Sequence, residues 1–365
     1  MLRTVRRTAA AAFLAAAVTV TAAAPAGAAP VTWRDVSPEV ADSVFHDMET
    51  AGGETWAVGL TYDTGMLPLA MRWNGTAWDA PAMPFSGPGR INDLAMAGPG
   101  DAWAVGEVFT DDFAGRALLQ HWDGHAWAEV GVPLPKHTAA SLSAVTVAGD
   151  GSVWVAGRYE INNYDDPVHF TQRRDTGGNW TKIPGGIDVG YVNALETAPD
   201  GSVYAAAFTD VYRSDGTGWT VEPMFTPAAT VGFESVEVRA TDDIWAVGFF
   251  RDGKLGRSPL AMHYDGTSWS RVSTPAETGQ IFDVAFDAQG TPVAVGESLD
   301  PEISPEGHYV LTLDETGAFT RTESIPGAGN LYSAATDSRG RVWAAGVTSD
   351  APAPFLPYAF AGIRG

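Results

Sequence analysis

The sequence predicts an all-β fold, a seven-bladed β-propeller of four-stranded antiparallel blades whose last blade is closed by the N-terminal strand. Three observations carry this reading. One hexamer recurs seven times, each copy is bracketed by tight-hairpin signals, and the two ends of the chain each hold part of a single repeat.

The clearest copy of the hexamer is Asp101-Ala102-Trp103-Ala104-Val105-Gly106. Its counterparts centre on Trp56, Trp154, Trp245 and Trp343, with Tyr204 and Val293 standing in for Trp in two weaker copies. The spacings between these anchors are 47, 51, 50, 41, 48 and 50 residues, within the range of propeller blades. Within a repeat, Ile91–Ala97 reads as the first strand, and Gly98-Pro99-Gly100-Asp101 turns the chain into the second strand, Ala102–Gly106. Ala117–Trp122 forms the third, and Asp123-Gly124 is a hairpin into the fourth, which carries Trp127. Asn74-Gly75, Asp215-Gly216 and Asp265-Gly266 repeat that hairpin, and such dipeptides supply the positive φ that tight hairpins need. The seventh repeat stops at its third strand, Tyr358–Ala361. The missing fourth strand matches Thr32–Pro38, so the N-terminus is expected to complete the last blade and hide both sheet edges. All thirteen Trp then have places: five on second strands, six on fourth strands, and Trp73 and Trp122 on third strands. That assigns them to packing rather than to a ligand cage.

Residues 1–28 read as a secretory signal, with Arg3, Arg6 and Arg7 before an Ala/Val/Leu-rich run and Ala26-Gly27-Ala28 as the cleavage site, which leaves residues 29–365 as the propeller domain. Removing three Arg from 22 basic residues leaves 19 against 44 acidic ones, a net charge of -25. So acidic a secreted chain argues against nucleic acid and anionic membranes as partners. No later run is apolar enough to span a membrane. With no Cys there is no disulfide scaffold, thiol nucleophile or thiolate metal site. A monomer is expected.

Catalytic motifs are missing. His121 and His125 are four apart, but Asp123-Gly124 between them makes a hairpin rather than a helix, so they are not a zinc pair. His121 and His263 occupy the place held by Arg72, Arg173 and Arg213 in other repeats, which suggests an ion pair on the strand surface. Neither a Gly-x-Ser-x-Gly elbow nor a phosphate loop occurs. Asp175-x-Gly177-x-x-Trp180 resembles the Asp-box hairpin of sialidases, a structural element there too, and the arginine cluster and nucleophilic pair of that family cannot be assembled here.

Loops following second strands vary most between repeats and are rich in acids, including Asp63, Asp111, Asp112, Asp165, Asp166, Glu297, Asp300, Glu302 and Glu306. This face is the expected interaction surface, with solvated charge as the competing reading. The innermost strands should line the axis. Aligning repeats on Met48, Leu94, Val145, Leu195, Val236, Val284 and Ala334 places His46, Asn92, Ser143, Asn193, Glu234, Phe282 and Tyr332 at one level and Asp47, Asp93 and Asp283 at the next. The candidate binding residues are His46, Asp47, Asn92, Asp93, Asn193, Glu234 and Asp283. Their oxygen-rich chemistry would suit a hard cation such as Ca²⁺. The competing reading is that each caps its own strand by a local hydrogen bond.

The Asp101–Gly106 hexamer and the Trp122–Trp127 hairpin, behind a signal sequence, resemble the secreted seven-bladed propeller proteins of actinobacteria, the family of dispase autolysis-inducing protein. The resemblance covers residues 30–365. It implies a non-catalytic extracellular binding or scaffold protein, a partner of secreted proteases or a substrate of transglutaminase. Gln280 and Gln289, read as lying in a loop and a turn, are then the candidate amine-accepting glutamines. Glycan binding, or a glycan-directed hydrolase or lyase at the channel mouth, is the alternative.

Overall fold

The computed structural model describes residues 31–364 apart from 41, 63–64, 86, 110–114, 137, 162–165, 186, 188–190, 225–229, 252–255, 301–306, 323–324, 326–328 and 348–356. The expected signal segment and the loop acids Asp63, Asp111, Asp112, Asp165, Glu302 and Glu306 lie outside the described residues.

The described strands form seven four-stranded antiparallel sheets. In six of them the strands lie in chain order. In blade 1 these are Ser43–Ala51, Glu54–Thr61, Leu67–Trp73 and Trp78–Asp79. The seventh sheet runs Leu331–Thr336, Val342–Val347, Pro357–Arg364 and then Val31–Asp35, with Trp33 opposite Gly362 and Asp35 opposite Phe360. The two ends of the chain therefore share one blade, as their sequences require. The third strand of that blade runs past the Ala361 expected for its end.

Local chemistry explains the hairpins. Asp123 Oδ1 accepts hydrogen bonds from the backbone N–H of His125 and Ala126, both at 2.9 Å, and Gly124 takes φ 90°. Asp265 does the same for Thr267 and Ser268, and Asn74 for Thr76 and Ala77. A short polar side chain followed by Gly fixes the turn, and the turn fixes the strand register.

The core is divided among seven apolar clusters, each between two neighbouring blades. Trp56 and Val58 of blade 1, for example, pack against Ile91, Leu94, Trp122 and Trp127 of blade 2. Trp343 of blade 7 packs against Phe45 and Met48 of blade 1, which closes the ring. Nine of the thirteen Trp are buried, and Trp33, Trp73, Trp78 and Trp180 are part-buried against the same clusters, so packing accounts for all of them.

The recurring basic residue of the third strand meets an acid of its own blade. His121 Nε2 lies 2.9 Å from Asp101 and His263 Nε2 2.9 Å from Asp243, each imidazole stacked on the Trp of its blade, Trp103 or Trp245. Arg173 and Arg213 pair with Asp150 and Asp200 at the turn before the second strand, and Arg72 bridges Glu54 at the start of the second strand and Asp79 on the fourth.

Candidate functional site

Every innermost strand carries a β-bulge at the same place. The register against the second strand shifts between Phe45 and Asp47, Ile91 and Asp93, Leu142 and Ala144, Val192 and Ala194, Phe233 and Ser235, Ile281 and Asp283, and Leu331 and Ser333. The extra residues are His46, Asn92, Ser143, Asn193, Glu234, Phe282 and Tyr332. A bulge re-aims a side chain that strict alternation would turn to the other face of the sheet. The bulge also explains the glycine that ends the hexamer. A Cβ on Gly106 would sit 2.0 Å from the carbonyl oxygen of Arg90, and one on Gly248 would sit 1.9 Å from that of Gly232, so no larger residue fits without moving backbone.

The bulge level and the level beneath it together clamp neighbouring blades. At the upper level, His46 Nδ1 donates to the carbonyl of Ile91 (2.7 Å), Asn92 Nδ2 to that of Leu142 (2.7 Å) and Asn193 Nδ2 to that of Phe233 (2.7 Å). At the lower level, Asp47 accepts from Leu94 N–H (2.8 Å), Asp93 from Val145 N–H (2.6 Å) and Asp283 from Ala334 N–H (2.8 Å). Ser333 takes the aspartate's place in blade 7, accepting from Met48 N–H at 3.1 Å and donating to Asp47 at 2.8 Å. These side chains were expected either to cap their own strands or to be open to a ligand. The capping expectation holds in part, since Asp283 also accepts from Val284 N–H of its own strand at 2.8 Å, while the other bonds named above reach the next blade because the bulge points these groups along the ring.

All seven candidate binding residues meet around the axis. Their upper tier borders a vestibule of ≈ 510 Å³, walled also by Tyr62, Tyr191, Phe282 and Tyr332. Below it the axis narrows into a shaft of ≈ 140 Å³. A third acidic level, Glu49, Glu196 and Glu237, lines the shaft. These three were missed from the sequence, although each stands two residues beyond the aspartate level, or its counterpart, and so on the same face of its strand. Seven carboxylates line the shaft in all, with no Lys or Arg among its lining residues.

That arrangement moves proton affinities. Burial pushes the Glu196 carboxyl up to about 8, reinforced by the charge of Glu49, and burial pushes Asp283 up to about 7. Glu49 and Glu237 are held well above the usual range by burial and then by neighbouring carboxylates, and Asp93 by burial and by Asp47. Burial lowers His46, so its imidazole is neutral near pH 7. Because Nδ1 donates to a carbonyl, Nε2 carries the lone pair.

Among the described residues no three His, Cys, Asp or Glu side chains are grouped so as to hold a metal ion. The aspartates expected to offer oxygens to Ca²⁺ spend at least one oxygen each on a backbone N–H of the next blade.

The two glutamines fall in different environments. Gln289 is exposed in the turn after Phe286, as expected. Gln280 corrects the loop assignment: it lies within the innermost strand Gly279–Phe286, is 4% exposed, accepts from Arg257 and donates to Glu297 at 2.9 Å. Glu297, placed in a loop from the sequence, lies in the second strand Pro292–Ser298.

No family model matches the chain, and no curated protein does. Solved structures share its architecture. A streptogramin B lyase superposes with a TM-score of 0.65 at 11% identity, covering 92% of this chain and 98% of the other. A catalytically inactive virginiamycin B lyase from Staphylococcus aureus, with quinupristin, gives 0.64 at 11% identity, covering 91% and 100%. YCF48 bound to D1 peptide gives 0.58 at 16% identity, covering 93% and 98%. Identities this low show the propeller fold and nothing of activity.

Proposed function

We propose that the protein is a secreted, non-catalytic binding module that docks an extracellular protein on the face where its second strands end. The observation that carries this is the placement of exposed apolar side chains. Among the described residues, five large ones stand exposed, and four of them, Tyr62 (41%), Ile161 (55%), Phe208 (42%) and Leu299 (53%), lie just past the ends of second strands in blades 1, 3, 4 and 6. All four follow the same end of their blades' second strands, and Tyr62 also borders the polar vestibule, an arrangement of apolar anchors on one face that suits protein recognition. The peptide complex of YCF48 supports a binding role for this architecture. No described helix is long and apolar enough to cross a membrane. The family resemblance points to secreted proteases or transglutaminase as the first partners to try. Surface plasmon resonance against purified secreted protease and transglutaminase tests the reading. Tyr62→Ser with Leu299→Ser should weaken binding at least tenfold, and unchanged binding by this variant overturns the choice of face.

A second reading has one observation in its favour. His46 presents an unprotonated Nε2 at the vestibule while burial raises Glu234, an acid–base pairing that a hydrolase or lyase acting on a glycan or other ligand would need. His46→Gln should then abolish turnover of any substrate found. Ca²⁺ in the shaft is a further proposal, tested by a chelator-induced fall in melting temperature that Ca²⁺ reverses.

A further inference from the structure

The shaft gathers seven carboxylates with no Lys or Arg among its lining residues. On the blade surfaces Asp79, Asp101, Asp150, Asp200, Asp243 and Asp337 each meet an Arg or His. In the shaft the carboxylates meet backbone N–H groups, the neutral side chains of Ser333 and Asn193, and one another, and burying charge without an opposite charge is costly. Glu237 is the extreme case. Its part-buried side chain lines the shaft, and its carboxyl has no hydrogen-bond partner among the described residues.

We propose that the shaft receives one cationic side-chain end, an ammonium or guanidinium on a flexible stem, carried by the protein that docks on the loop face; this rests on the docking reading above. The vestibule and the shaft share His46, Asn92, Asn193, Glu234, Phe282 and Tyr332 as lining, so the entrance is continuous with the interior. A volume of ≈ 140 Å³ holds roughly four or five waters at about 30 Å³ each, enough for a short unbranched alkylammonium. The entrance suits the same guest: the rings of Phe282 and Tyr332, packed edge to face at 5.1 Å, and of Tyr191 border the path of an incoming cation, and aromatic faces attract cations. A metal ion is a poorer guest. Ca²⁺ needs about six to eight oxygens in one shell, whereas these carboxylates are spread along a cylinder and the aspartates are engaged by N–H donors. An ammonium makes three directional hydrogen bonds and is satisfied by acceptors set apart in this way.

The test is isothermal titration calorimetry on the full chain at pH 7 in two buffers of different ionisation enthalpy. The probes are a capped Gly-Lys-Gly peptide, its norleucine counterpart, 1,5-diaminopentane and CaCl₂. The lysine peptide should bind at least tenfold more tightly than the norleucine peptide and should release protons as shaft carboxyls ionise around the cation. Glu237→Gln with Glu196→Gln should weaken it at least tenfold, with circular dichroism and melting temperature confirming the fold, while Val221→Ser, on the exposed outer strand of blade 4, leaves it unchanged. Equal binding of the two peptides, or indifference to the glutamine substitutions, overturns the proposal without touching the docking face. Diaminopentane binding more tightly than the lysine peptide overturns the side-chain source in favour of a free amine. Ca²⁺ binding that the same substitutions abolish, with no lysine-peptide binding, overturns it in favour of a metal site.

Discussion

The shaft makes stability depend on pH in an unusual direction. An acid whose proton affinity is higher in the folded than in the unfolded chain keeps its proton longer in the folded state, so its stabilising effect is full in acid and is lost as pH rises through the folded value. Glu196, raised to about 8, and Asp283, raised to about 7, both titrate between pH 6.5 and 9, where unfolded carboxyls are already ionised. Integrating over that interval at about 1.4 kcal/mol per pH unit and proton gives a loss of about 2 kcal/mol from Glu196 and about 1 kcal/mol from Asp283. The acids that hydrogen bonds hold low, Asp150 and Asp200 through Ser152 and Ser202 and Asp243 through His263 and Arg239, act below about pH 4, and His46, whose value burial lowers, acts below about 6.5, so neither interferes. Urea midpoints at pH 6.5 and 9 provide the assay. At a slope of about 3 kcal/mol/M, the midpoint should fall by about 1 M. Glu49, Glu237 and Asp93, also raised, deepen that fall, and Glu196→Gln, which keeps shape and removes one titration, should recover about 0.6 M of it. A midpoint that is flat or rises over this interval, or a Glu196→Gln chain with the wild-type slope, refutes the account of the shaft as uncompensated carboxylates.

Three further outcomes follow from the fold. Gly248→Ala should destabilise by about 2–4 kcal/mol, because the new methyl meets a backbone carbonyl that only the bulge brings so close; a cost below about 0.5 kcal/mol, the level of an ordinary surface change, would show that the bulge yields freely. Trp33→Ala should cost about 2–3 kcal/mol in denaturant unfolding, less than a fully buried Trp since Trp33 is only part-buried against the blade 6–7 cluster. The exposed Thr32 in the same strand serves as a control, and an equal effect of Thr32→Ala would shift the cost from packing to strand pairing. Transglutaminase with a labelled amine should modify Gln289 and spare Gln280 in the folded protein, and mass spectrometry finding label on Gln280 would contradict its burial.

The architecture is legible because it is written seven times. Trp56, Trp103, Trp154, Trp245 and Trp343 fill equivalent places between blades, and Asp-Gly or Asn-Gly dipeptides fix equivalent turns, so errors in any one repeat are corrected by the others. The aspartate level was legible for the same reason. What the aspartates do was not, because their partners Leu94, Val145 and Ala334 are backbone N–H groups of the next blade, and backbone donors leave no mark in a sequence. Gln280 was misread because Thr278-Gly279 looks like a turn, whereas Gly279 opens the strand, its missing side chain making room for Tyr309 and the Glu297 carbonyl. The glutamates Glu49, Glu196 and Glu237 occur in three of seven repeats, as the aspartates do, and lie two residues further along the same strands, past the levels at the channel mouth that the alignment compared. A feature that a ring needs structurally tends to recur in most blades, as the hexamer glycine does. The glutamates face the axis without the blade-to-blade bonds that the aspartates make, so they owe little to the ring's own construction, and the shaft is therefore where the molecule's chemistry has to be sought.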